Sequence, residues 1–126
     1  MDRFAVSVFP VAKPEEWRAF CESAADGERA EAHRAFLGRL GITREHIFHQ
    51  STPAGDLIVL VHEGVGQDEI AGKFGDFLQN PQSEHERYIA THVIPELHGV
   101  DPGAGPPPEA RAVASIDAGL TPATPT

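Results

Sequence analysis

The strongest constraint on this chain is where its apolar and aromatic residues stop. All seven phenylalanines, the tryptophan and the tyrosine lie before residue 89. From Asp101 to Thr126 there are six prolines, three glycines, six alanines and no aromatic residue. Proline lacks the N–H that a helix or inner strand needs, so Pro102-Gly-Ala-Gly-Pro-Pro-Pro108 reads as an extended spacer. Past it, Arg111-Ala-Val-Ala-Ser-Ile-Asp117 alternates weakly enough for one short edge strand over 111–117, and the last residues read as frayed. The expected organisation is one folding domain over 1–100 and a Pro/Ala/Gly-rich tail over 101–126.

Charge narrows the partners. The chain carries 19 acidic and 10 basic side chains, a formal net charge of −9. The tail holds three acids and one arginine, leaving −7 on the folding unit. That balance argues against nucleic-acid binding, which needs clustered Lys and Arg against phosphate, and against anionic membranes. No apolar run approaches the roughly 20 residues that span a bilayer. Residues 1–12 lack the pattern of a signal peptide, so the expected location is cytoplasmic. A single thiol, Cys21, excludes an internal disulfide and any all-cysteine zinc site. It falls on an apolar helical stripe and reads as a small buried hydrophobe.

Periodicity supplies the elements. Phe4-Ala-Val-Ser-Val-Phe-Pro-Val11 reads as a strand. Pro14, Glu15 and Glu16 open a helix whose stripe is Trp17, Phe20, Cys21 and Ala24. After Asp26-Gly27, the positions His33, Phe36, Leu37 and Leu40 resume the helical spacing, with Gly41 as a left-handed stop. His46-Ile-Phe-His-Gln-Ser51 and Leu57-Ile-Val-Leu-Val-His62 flank turn chemistry at Thr52-Pro-Ala-Gly-Asp56 and predict a hairpin. Ile70, Phe74, Phe77 and Leu78 define a further helix. Ser83-Glu-His-Glu86 is a capping box opening a last helix through Tyr88, Ile89, His92 and Val93, which Pro95 should kink or end.

Strand, helix, hairpin, helices and a late strand make an α+β chain of ferredoxin-like β-α-β-β-α-β order, an antiparallel sheet with helices on one face. About 100 residues leave the other face bare, so a homodimer is expected. In element order and length, residues 3–100 resemble the dimeric α+β-barrel group of small bacterial proteins, in which two ferredoxin-like subunits pack sheet against sheet. Antibiotic-biosynthesis-type monooxygenases, haem-degrading enzymes, muconolactone isomerases and mutarotases belong to it. Gly41-Ile-Thr-Arg-Glu45, Thr52-Pro-Ala-Gly-Asp56 and Glu96-Leu-His-Gly-Val-Asp101 look like signatures of one branch, related to the antibiotic-biosynthesis-monooxygenase-like proteins. The resemblance implies a homodimer and a small-molecule cavity between sheet and helices; it carries over no catalytic residue.

Several short motifs fail on inspection. Gly64-Val-Gly66 lacks the third glycine of a dinucleotide fingerprint, Gly66 to Lys73 has the wrong spacing for a phosphate loop, and His85-Glu86 lacks the second zinc histidine, since Ile89 stands there. Seven histidines remain. Their geometry depends on hairpin register. A three-residue loop at Pro53-Ala54-Gly55 sets His46 opposite His62; a loop one residue longer pairs His46 with Glu63. On the last helix, His85, His92 and Glu96 fall nearly on one line, and His92–Glu96 at i and i+4 is the first candidate for an acid–base pair. His33 and His85 read as surface or boundary residues, and His98 as a helix-end cap.

The leading expectation is a small enzyme with a sheet–helix pocket, acting on an uncharged or aromatic metabolite by proton transfer or by cofactor-independent oxygenation. Its pocket residues are Trp17, Phe20, Phe48, Phe74, Phe77 and Tyr88, and its polar points are His49, His92 and Glu96. No cofactor is required by that chemistry. One alternative is a haem or divalent-metal protein using His46, His62, His85 or His92. A second is a non-catalytic binding or regulatory module tethered by the tail.

Overall fold

The computed structural model describes residues 3–101 and 110–120. The element order is β1 (Phe4–Pro10), α1 (Pro14–Asp26), α2 (Ala30–Arg39), β2 (Arg44–Thr52), β3 (Gly55–Glu63), α3 (Gln67–Gln79), α4 (Glu84–Tyr88) and a π-helix (Ile89–Leu97). The chain is α+β. Its three strands form an open antiparallel sheet in the order β1-β3-β2. Among the described residues no helix is long and apolar enough to cross a membrane.

Each helix end has a local cause. Pro14 begins α1 and Glu15 and Glu16 follow in its first turn, where carboxylates meet the positive end of the helix dipole. α2 closes with two bonds, from the Ile42 amide to the Leu37 carbonyl and from Gly41 to Gly38. Gly41 at φ 78° makes that closure, as the left-handed stop predicts. Ser83 caps α4 by accepting from the Glu86 amide at 3.1 Å. The reciprocal half of the box is shifted by one residue, since the Glu86 carboxylate takes the amide of Gln82. Its other bonds come from Arg39, which holds the carboxyl below its usual range despite burial.

Pro95 does not end the last helix. The segment widens to a π-helix instead, closing with a bond from the His98 amide to the carbonyl of Val93 at 3.0 Å. Proline has no amide to give to either ladder, and its ring clashes with the carbonyl four residues back in an i→i−4 helix, a crowding that a wider turn relieves.

The hairpin register differs from both sequence alternatives. Thr52 pairs with Gly55, so the connection is only Pro53-Ala54, and Gly55 takes φ 133°. His46 therefore faces Val61, and Glu45 faces His62. Directly opposed residues share a face, so Ala5, His62 and Glu45 form one row across the sheet, followed by Ser7, Leu60 and Ile47. These rows look toward the helices. The core is built on them from Ile58, Phe36, Phe77, Val93 and Leu97.

The other face carries the rows Val6–Val61–His46 and Val8–Val59–Phe48, and none of the helices covers it: Phe4, Val8 and Phe48 are 53%, 41% and 56% exposed. The late strand over 111–117 is not formed. That segment forms no strand and joins no sheet, with Val113 96% exposed. The expected spacer at 102–108 and the frayed end at 121–126 lie outside the described residues.

Beyond the sheet, Gly64 sits at φ 98°, and a β-carbon there would stand 2.7 Å from the Gly41 carbonyl oxygen. The two loops that close α2 and β3 thus meet backbone to backbone. Gly64→Ala should destabilise the fold by about 1–3 kcal/mol through strain and the clash together, measured by urea unfolding; an unchanged midpoint would contradict this packing.

Candidate functional site

A cavity of about 520 Å³ opens between the helix-facing side of the sheet and helices α1, α3 and the π-helix. Its walls are mostly apolar: Trp17 and Phe20 come from α1, Phe74 from α3, and Ile47 and Leu60 from the sheet. α1 presents Trp17, Phe20 and Cys21 together because they sit at three- and four-residue spacing on one stripe. Glu45 and His33 are among the polar groups on this wall.

Glu45 projects from β2 beside His62 on β3, which is 0% exposed. One carboxylate oxygen takes the His62 Nε2 at 2.6 Å, and the other takes the His33 Nε2 at 2.9 Å. Behind His33, its Nδ1 lies 2.9 Å from His85 Nε2, and His85 Nδ1 lies 3.2 Å from a guanidinium nitrogen of Arg29. Arg29 in turn stacks 3.8 Å over the Tyr88 ring.

The two ends of this chain fix the direction of every bond in it. Arginine only donates, so His85 Nδ1 accepts and the His85 proton is on Nε2. That N–H donates to His33 Nδ1, which leaves the His33 proton on Nε2, aimed at Glu45. An ionised carboxylate only accepts, so His62 also donates from Nε2. All the hydrogen bonds run toward Glu45. His62 Nδ1 is left buried with no partner among the described residues.

Burial alone would raise the Glu45 pKa. The hydrogen bonds from His33 and His62 more than offset it and bring it to about 2. His85 moves the other way from a normal imidazole, lowered to about 4 by burial and by His33 and Arg29 beside it. Cys21 is pushed up to about 12 by burial and by Glu45 and Glu22, so it remains a thiol.

The residues proposed from sequence fall into three groups. Trp17, Phe20 and Phe74 line the cavity. Phe48 instead lies on the bare sheet face, Phe77 is fully buried in the core, and Tyr88 sits beneath Arg29 outside the cavity wall. His92 and Glu96 do not meet: the π-helix changes their relative angle, Glu96 is exposed 3.8 Å from Lys13, and His92 packs on Tyr88 with ring centres 5.0 Å apart. His49 packs on Trp17 and stands 3.4 Å from Asp56, away from Glu45.

The candidate metal histidines are likewise dispersed. His46 is on the bare face with Glu63 at 2.6 Å, while His62 and His85 are in the buried chain. Among the described residues no group of three or more His, Cys, Asp or Glu is arranged to hold a metal ion. His33 and His85 are buried, contrary to their reading as surface or boundary residues. His33 shared its stripe with Phe36, Leu37 and Leu40, which was the available signal. Comparison of the chain with family models, with curated proteins and with solved structures gives no match.

The lowered His85 and Glu45 values give stability a direction with pH. In both, the unfolded chain binds more protons than the folded one, so stability rises with pH and is lost on acidification. His85 acts between pH 6.5 and about 4, and Glu45 between pH 4.5 and about 2. The melting temperature should fall in two stages as pH is lowered from 7. His85→Gln should flatten the first stage in part, because His98 is also held below its ordinary value by burial. A first stage unchanged by that substitution would contradict the assignment.

Proposed function

We propose that this chain is a small enzyme of the proton-transfer kind, isomerase- or cyclase-like or a cofactor-independent oxygenase, acting on a largely apolar metabolite in the sheet–helix cavity. The observation that carries the reading is an ionised carboxylate, Glu45, held by two imidazole N–H groups on the wall of a mostly apolar cavity. A structural ion pair gains little by facing an open cavity. A catalytic one must face it.

The low pKa sets what Glu45 does. As a base it is weak, so the C–H or O–H it attacks must already be acidic; as a conjugate acid it returns the proton readily. Removing a proton at one substrate atom and returning it at another leaves the enzyme unchanged, which is the balance an isomerisation requires. His33, on the wall, holds one carboxylate oxygen in place, and the buried His62 holds the other. Apolar walls exclude water and strengthen those contacts.

In the same reading the sheet is the larger part of a ferredoxin-like fold, and two copies pair through the bare face. The rows Val6–Val61 and Val8–Val59–Phe48 support that choice of face, because a continuous apolar surface on a monomer is stabilised by burial.

Native mass spectrometry of freshly purified protein tests both parts. The expected species is a dimer retaining a small molecule. Incubated in heavy water with that molecule, the protein should place deuterium in it, and Glu45→Gln should slow the exchange by about 100-fold or more. A monomer contradicts the pairing; exchange at full rate in Glu45→Gln contradicts the chemistry.

A further inference from the structure

One cavity residue stands apart from the Glu45 cluster. His98 follows the π-helix and is buried between Phe9 and Trp17, with ring centres 5.6 and 6.3 Å away. Its Nδ1 is 2.8 Å from the Pro10 carbonyl oxygen. A carbonyl only accepts, so the His98 proton is on Nδ1 and Nε2 keeps its lone pair. Burial lowers the His98 pKa and so favours the neutral ring, against the smaller opposing effect of the Pro10 bond. The ring lines the cavity. It is therefore an acceptor with one nitrogen already committed to β1.

Donors on the same wall are few, and besides the Gln79 amide and the Trp17 indole N–H they are weak or engaged. The Gln67 amide is spent: its oxygen accepts from the Val6 amide at 2.7 Å, and its nitrogen donates to the carbonyls of Val6 and Ala110 at 2.9 Å. Cys21 offers a weak thiol, and the Ser7 hydroxyl serves either role. Among the described residues no lysine or arginine lines the cavity, so the negative charge of Glu45 has no cation beside it on the wall. The two acceptors are also well separated. Glu45 shares its row with Ala5, and His98 is bound to Pro10. Ala5 and Pro10 lie toward opposite ends of β1.

We propose that the cavity selects an elongated, uncharged, mostly aromatic ligand with a hydroxyl or amino donor toward each end, with His98 Nε2 as the second acceptor beyond Glu45. Anionic ligands are excluded, because a carboxylate or phosphate would meet Glu45 at low dielectric with no compensating cation. This specificity rests on the reading of the cavity as a ligand site, and it names a residue that the proton-transfer step does not use.

The test is calorimetric titration of the full chain with biphenyl, 4-hydroxybiphenyl, 4,4′-dihydroxybiphenyl and biphenyl-4-carboxylate. Biphenyl should bind saturably, each hydroxyl should tighten binding by about tenfold, and the carboxylate should bind at least tenfold more weakly than biphenyl. In His98→Phe the gain from the second hydroxyl should vanish while biphenyl itself binds within about twofold of the wild-type value. Equal binding of the carboxylate, no gain from the second hydroxyl in the wild-type protein, or an undiminished gain in His98→Phe would each overturn the specificity. Failure of biphenyl to bind would instead overturn the cavity reading, and the specificity with it.

Discussion

The site depends on one arrangement, a carboxylate gripped by imidazole N–H groups from two directions. Glu45 is mostly buried, and a lone charge there would be expelled or neutralised. Instead His33 arrives from α2 and His62 from β3, one to each oxygen. Because the chain of bonds ends in arginine on one side and carboxylate on the other, no link in it is free to reverse. The direction is a consequence of chemistry at the ends, and it passes through His85, a residue far from the carboxylate in sequence. Three separate elements, β2, α2 and β3, thus meet on one charge, and their packing and its ionisation support each other.

The backbone makes that meeting possible. Glu45 lies opposite His62 only because the hairpin turns at Pro53-Ala54 with Gly55 already paired. A slip of one residue would send Glu45 to a different neighbour. The contact of Gly64 with Gly41 sets the loop after β3 against the end of α2, and the tight closure of α2 feeds the chain into β2 two residues later. Ala5 on the other side of His62 leaves room for the ring.

Much of the fold was legible. The Pro14 start, the Gly41 stop and the Ser83 cap act where the sequence places them. The hairpin is also where its turn chemistry lies. The register was not legible, because Thr52-Pro-Ala-Gly-Asp56 allows the glycine to stand in the loop or in the strand, and only the second pairs Ile47 with Leu60. The π-helix was hidden as well, since Pro95 signals a lost hydrogen bond without saying whether the helix breaks or widens. That ambiguity separates His92 from Glu96 and moves the acid–base candidate to Glu45. Residue type argues for His33 at the surface, while its position on the α2 stripe places it inside.

The claim that everything in this site turns on is the direction of the imidazole hydrogen bonds. Long-range proton–nitrogen NMR correlations of uniformly nitrogen-15-labelled protein read histidine tautomers directly. At pH 7 the account predicts His33, His62 and His85 with the proton on Nε2, and His98 with it on Nδ1. A His33 or His85 carrying its lone proton on Nδ1, or a His85 in the imidazolium form, would contradict it.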